Sequence, residues 1–474
     1  MNRPDVHPTW MARSDALLRQ GLFVPSSSAP VTAFKVGLAI AALALGTLLS
    51  VVRTTGPGAL NTTMMEDASV FLSEALHKGF IEAVTTSYAG FYHLVPRILG
   101  EVAALFPADW AATVLAVEAA LVTSLLSLMV YVASGGVLPN RLQRLLVSAP
   151  MVVLPLAQSE MLNSIAMLRW YFIYATFWAV LWIPSTRWGR IIGPSVVILA
   201  ALSDAVVWIF LPLVVLRWWL RRDRCAVVMA AALLFGTLMV ASVVVSGVTT
   251  RGVQPRFDPV WALASYVLRP VPQVLIGSRW VTEGPADSVS GLLAVAVGWL
   301  IVAVIGMLAL RRVTRPQWVL ATVAVFFSVV IYLFCVMTVG FAGPRYGAPT
   351  AMLVMTALVA LLTPRSEQSP GRQQWSAINR PLLPITGLAV LVTIVCVVNL
   401  RVAGDRTGGP RWSDGLQAAR IACDHGGQPV PPPTVAPHQP HPSIPPTDAI
   451  TANIPVSPVR LAWAAHLPCD YLSR

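Results

Sequence analysis

Charge is what this sequence has least of. Only 11% of its 474 residues are Asp, Glu, Lys or Arg, while 56% are hydrophobic. Soluble domains carry about 25% charged residues, so the shortage excludes that class and makes the chain a polytopic membrane protein. Lysine is nearly missing: Lys35 and Lys78 are the only two, and the net charge of +12 rests on arginine. In a soluble chain that balance would point to nucleic acid. Here arginine gathers between apolar runs, as cytoplasmic loops of membrane proteins do, and a nucleic-acid partner is set aside. No Walker motif and no His-Glu-x-x-His occurs, which removes P-loop ATPases and zincin proteases. No cleavable signal peptide is evident: residues 1–30 are polar, and the run 31–52 is long enough to stay as an anchor.

Cysteine is also scarce, at five residues. Cys225, Cys335 and Cys396 lie in apolar runs and read as packing residues. Cys423 and Cys469 lie in the polar C-terminal part, where an oxidising compartment would permit a disulfide closing a flap. The alternative is two unpaired thiols. Between them, 429–446 has nine prolines in eighteen residues and reads as extended.

Apolar runs near 31–52, 111–133, 145–160, 169–184, 191–203, 204–219, 225–246, 289–310, 317–339, 346–363 and 382–400 predict about eleven transmembrane helices. Every second joint is arginine-rich: Arg141/Arg144, Arg187/Arg190, Arg217/Arg221/Arg222/Arg224, Arg311/Arg312/Arg315 and Arg365/Arg372/Arg380. The positive-inside rule then predicts a cytoplasmic N-terminus and an extracytoplasmic C-terminus in the plasma membrane. The division expected is a tail over 1–30, a bundle over 31–402 with outer loops 53–110 and 247–288, and an outer tail over 403–474. Nucleotide-sugars and ATP are not available on the outer face, so transferase chemistry there needs a donor linked to a lipid.

The loop 53–110 is too long for an idle hairpin. It opens with adjacent acids, Glu66 and Asp67, followed by Val70, Phe71, Ala75 and Leu76 at the spacing of one helical face. A second periodic piece starts at Pro96 and stops at Pro107, and two amphipathic helices lying in the membrane interface are expected. Between them "SYAGFYHLVPR" holds Tyr88, Tyr92, His93 and Arg97.

An acid pair soon after the first span, an aromatic connection with His and Pro, and many later spans resemble the GT-C superfamily of polyprenyl-phosphate-sugar-dependent membrane glycosyltransferases. "LSDAVVWIFLPLVVLR" (202–217) and "GFAGPRYGAPTAML" (340–353) are similar to the middle and late spans of such proteins. The likeness covers most of 31–400, and "HLVPR" departs from the His-Pro-Pro found in some relatives. It implies an all-α GT-C-like bundle, a polyprenyl-phosphate-linked sugar donor, an extracytoplasmic acceptor and a first-loop carboxylate as base.

Transfer from a lipid phosphate needs a base for the acceptor hydroxyl. Asp67 is the expected base; Glu66 would orient it, share a divalent cation with it, or be the base itself. No cofactor beyond that cation is considered, and the metal is unknown. Both acids equally suit a helix N-terminus. The departing phosphate needs guanidinium groups, for which Arg345 beside Tyr346, Arg97, Arg269 and Arg279 stand near predicted interfaces, with Tyr88 and His93 beside them. Each arginine alternatively snorkels to membrane lipids. Glu118, inside a span, and Asp204, at an outer turn, are further candidates for a polar cavity. Glu160 is expected to pair with Arg169. Phe257, Trp261, Tyr266 and Trp280 in 247–288 suit an aromatic belt or a loop gripping the lipid.

The leading expectation is therefore a lipid-phosphate-dependent glycosyltransferase. A transporter or flippase of a lipid-linked precursor, or a glycan polymerase or ligase, is the alternative; no internal repeat is evident, which speaks against alternating access. Asp67, Arg345 and one of Arg97, Arg269 or Arg279 should line one cavity, and Asp67→Asn should abolish turnover.

Overall fold

A computed structural model describes residues 10–26, 31–153, 155–246, 254–281, 285–364, 382–425, 451–458 and 463–473. Arg365, Arg372 and Arg380 of the last arginine-rich joint, and the proline-rich 429–446, lie outside the described residues. What is described is almost wholly helical, with one two-stranded sheet.

Among the described residues, five helices are long and apolar enough to cross a membrane: Ala33–Arg53, the stretch Ala108–Gly136, Arg224–Ser246, Val289–Leu310 and Trp318–Val339. The protein is thus a helical membrane protein, but the other six predicted runs are shorter. The run 145–160 is broken into Arg141–Ser148, Pro150–Val153 and Gln158–Met161, with Ala157 in the left-handed region at φ 56°. Leu168–Leu181 has 14 residues, and every side chain but Arg169 is buried. At about 1.5 Å per residue it is roughly 21 Å long, short of the roughly 30 Å hydrocarbon core. Its apolar sequence serves the protein interior, which hydropathy alone does not separate from lipid. The doubtful stretch 191–219 divides at Asp204: Arg187–Ser203 ends there, and its carboxylate caps the tight turn Ala205–Phe210, which runs into Leu211–Arg221.

The segment 247–288 contributes two short helices, Pro259–Leu268 and Pro270–Ile276, bent at Arg269. Tyr266 is buried, with its hydroxyl 3.0 Å from Ser328 Oγ, so it packs the bundle instead of joining a belt. Phe257 and Trp280 are exposed, as a belt requires.

The first loop is built differently from the expected surface helices. Asp67–Leu72 forms a π-helical turn with all six residues buried, running into Ser73–His77. Its hydroxyls bond back along the chain, Ser69 Oγ to Met65 O at 2.7 Å and Ser73 Oγ to Ala68 O at 2.7 Å, which supports the widened turn. On one side packs Leu94–Ala104, whose Val95, Gly100 and Ala103 face inward, while Leu105 just beyond it is 83% exposed. On the other lies the C-terminal part: helix Trp412–Asp424 and an antiparallel hairpin, β1 (Thr451–Pro455) with β2 (Ala464–Pro468), pairing Asn453 with His466. Met65 N donates to Ser457 O at 2.7 Å, His466 N to Ser73 Oγ at 2.9 Å, and Trp412 Nε1 to Ala108 O at 2.9 Å. A disulfide joins Cys423 to Cys469, the pairing an oxidising compartment would permit. The described part of 403–474 is therefore no loose tail; it cradles the first loop.

One glycine makes that packing possible. A Cβ on Gly100 would lie 2.8 Å from Phe71 O and 2.9 Å from its carbonyl carbon, whereas one on Gly37 meets nothing within 4 Å. Gly100→Ala should cost about 1–3 kcal/mol through forced displacement of the π-helical turn. Gly37→Ala should be neutral or gain up to about 1 kcal/mol from helix propensity. Thermal unfolding of both variants in detergent checks this; equal midpoints would refute the close approach.

Candidate functional site

The adjacent acids divide between two environments. Asp67 is 1% exposed. Its Oδ1 accepts hydrogen bonds from Ser164 Oγ and from the backbone N–H of Ala166, both at 2.9 Å, and its Oδ2 lies 3.8 Å from Arg406 Nη2. Arg406, from the segment after the last apolar helix, is also buried. It donates through Nη1 to Thr62 O at 2.8 Å and through Nη2 to Asn163 O at 2.7 Å. Asn163 in turn bonds Ser50 O and Thr54 Oγ1, both at 2.9 Å, at the end of Ala33–Arg53. Asp67 is thus the centre of an internal knot, and its expected position beside Arg345 is not observed.

Glu66 belongs to the other environment. Its Oε2 is buried without a hydrogen-bond partner among the described residues. It acts electrostatically on Tyr88 and on Arg345. Arg345, at the start of Pro344–Leu361, donates to Glu160 Oε2 at 3.1 Å and to Tyr346 OH at 3.3 Å. The Tyr346 ring stands edge-on to Trp170 at 5.3 Å, and Arg169 lies over that same indole at 4.8 Å. Arg169 reaches Asp204 Oδ2 at 3.7 Å. Tyr88 is buried within the electrostatic reach of Glu66, Arg169 and Arg345, and burial pushes its hydroxyl well above the usual phenol range. The Nε atoms of both Arg169 and Arg345 are buried without a partner, and so is Trp170 Nε1.

These residues come from five separate places: the first loop, the 158–161 turn, the start of Leu168–Leu181, the 203–205 junction and the start of Pro344–Leu361. Two guanidinium groups retain buried donor atoms, and a carboxylate retains a buried acceptor, in one cluster. An anion with a group to be deprotonated fits that donor set.

The remaining predicted residues separate. Arg97 is not available for phosphate: it is buried, bonded to Glu74 Oε2 at 2.5 Å, Tyr92 O at 2.8 Å and Ala83 O at 2.7 Å. Glu74, buried beside it, also has Lys78 Nζ at 3.5 Å. His93 sits in the left-handed region at φ 52° with Phe71, Tyr88 and Phe91 around its ring, within 5.6–5.7 Å, so it packs the connection. Arg279 is exposed, with its backbone N–H on Asn399 Oδ1 at 3.1 Å. Arg269 donates to Ala342 O and lines a small neighbouring cleft of about 10 Å³ with Gln273, Tyr332, Gly343 and Pro344. Glu118 lies on helix Ala111–Ala133 and makes no ion pair among the described residues. The expected Glu160–Arg169 pair is replaced by Glu160–Arg345 and Asp204–Arg169. No group of three or more His, Cys, Asp or Glu suited to a metal occurs among the described residues.

Sequence reasoning gave Arg169 a structural role and missed Trp170 and Arg406 altogether. The "RW" pair opening a wholly apolar helix was a usable signal for the first two; nothing in "AGDRTGG" marks Arg406 as buried.

Burial pushes the Asp67 carboxyl up to about 7, while Arg406 and the hydrogen bonds from Ala166 and Ser164 pull it down. The folded state therefore holds this proton more tightly than the unfolded chain, whose ordinary value is 3.8. That contribution to stability is complete below about pH 4 and is lost as pH rises through about 7. Asp67→Asn keeps an acceptor for Ser164 and Ala166 and should flatten the fall of the thermal midpoint between about pH 5 and 8. An unaltered slope would assign the effect to another group. No protein-family model matches this sequence, and no curated protein matches it either.

Proposed function

We propose that this chain is a membrane glycosyltransferase that moves a sugar from a polyprenyl-phosphate donor to an extracytoplasmic glycan, lipid or protein acceptor. The observation that carries the reading is the unpartnered, buried Oε2 of Glu66 in one cluster with the unpartnered Nε atoms of Arg169 and Arg345. In the proposed step the acceptor hydroxyl attacks the anomeric carbon. Its proton passes to Glu66, and the carbon–oxygen bond to phosphate breaks with its electron pair leaving on the phosphate. Arg169 and Arg345 stabilise the charge that develops there, and a planar guanidinium offers two parallel donors to a phosphate. Glu160 and Asp204 hold the two guanidinium groups at 3.1 Å and 3.7 Å. The resemblance of the first loop and of 340–353 to the GT-C superfamily supports the same reading, with the role of base moved from Asp67 to its neighbour.

The interrupted segment 141–161 favours a second reading, since broken helices are common in transporters of lipid-linked precursors. Membranes containing the wild type should transfer label from polyprenyl-phosphate sugars. Glu66→Gln should lower kcat by roughly 10²–10⁴-fold with the fold retained, as loss of a general base does. Arg345→Ala should weaken donor binding by at least about tenfold, a single charge-assisted contact being worth about 1.5–3 kcal/mol. Full transfer by Glu66→Gln would remove the base, and lipid translocation without sugar transfer would establish the transporter.

A further inference from the structure

The knot around Asp67 bears directly on the neighbouring site. Glu66 and Asp67 are consecutive, so whatever fixes the Asp67 side chain fixes the backbone from which Glu66 projects. Ala166, which donates to Asp67, lies three residues before Arg169. Arg406 grips both strands of this arrangement: Thr62 O and Ala59 O on the first loop, Asn163 O on the turn leading to Arg169. Its own segment is held as well, by Thr407 Oγ1 against Thr55 Oγ1 at 2.6 Å.

We propose that Arg406 is a positioning residue for the Glu66 site, setting the loop that carries Glu66 against the turn that carries Arg169. What that site does rests on the glycosyltransferase reading; the coupling of the two segments does not. The C-terminal segment is on this account a part of the site's frame, reaching it from more than 200 residues away in sequence from Asn163, at a separation of 243 positions. Such coupling is specific: among the described residues the guanidinium is the one cation acting on Asp67, and the other charge acting on that carboxyl is Glu66, of like sign. Removing Arg406 therefore strands a buried acid where ionisation is most costly, and neutralising Asp67 at the same time should relieve it.

Hydrogen exchange of the full chain in lipid nanodiscs tests the claim, each variant being compared with wild type at the same pH. Arg406→Gln should accelerate exchange at least about tenfold in 62–68 and in 163–169 at about pH 8, and less at about pH 5.5, where Asp67 keeps its proton. The double variant Asp67→Asn/Arg406→Gln should return both segments toward wild-type rates, and Arg406→Lys should lie between. In transfer from polyprenyl-phosphate sugars, Arg406→Gln should lower kcat about 10²-fold, the scale of a misplacement near 1 Å, with a smaller change in donor KM. Exchange that accelerates only around 402–411 overturns the proposal. So does a double variant no better protected than the single one, or one that does not fold. Wild-type membranes that show no transfer overturn the glycosyltransferase reading alone, because the exchange result stands without it.

Discussion

The buried pair of Asp67 and Arg406 is the constraint on which the rest of this architecture depends. Neither group is tolerable alone in the interior, since an unpaired buried ion costs several kcal/mol. Together, with Ser164 and Ala166 bonded to the carboxylate and Thr62 and Asn163 to the guanidinium, they bind three distant stretches of chain at one point. The end of the first spanning helix joins the same point through Asn163. The hairpin and the disulfide then brace the π-helical turn from behind. An irregular backbone in so apolar a chain is held by partners of this kind.

That frame permits an unusual concentration of charge beside it. Three carboxylates and two guanidinium groups meet around Tyr88, Trp170 and Tyr346 without complete mutual pairing. Proteins rarely leave buried donors and acceptors unmatched, and where they do a ligand often completes the set. Aromatic rings on either side lower the local polarity and strengthen each of these interactions. The Arg97–Glu74 pair is closer: there donor and acceptor meet at 2.5 Å and the carbonyls of Tyr92 and Ala83 accept from the same guanidinium, which leaves its Nη2 alone without a hydrogen bond among the described residues.

Much of the coarse layout was legible in the sequence. Hydropathy identified five helices that the structure keeps whole, and the position of the acids after the first of them directed attention to the first loop. Hydropathy failed for Leu168–Leu181 because a helix wrapped by protein is as apolar as one wrapped by lipid. Periodicity failed at Asp67–Leu72 because a widened turn does not keep the 3.6-residue repeat, and both faces are covered. Within the cluster, Glu66, Tyr88, Asp204, Arg345 and Tyr346 were recognisable as polar or aromatic residues near span ends. Which acid faced which cation was not, since adjacent residues on a tight turn point different ways and only the tertiary partners decide. Arg406 carries no local signature at all; its role exists only because a segment far along the chain folds back.

The most direct test of the central claim is a structure of the full chain in a nanodisc with a polyprenyl phosphate bound. The account predicts the phosphate between Arg169 and Arg345, with Glu66 facing the space where the anomeric carbon would stand. A phosphate seated instead in the cleft beside Arg269, or on exposed Arg279, would contradict it.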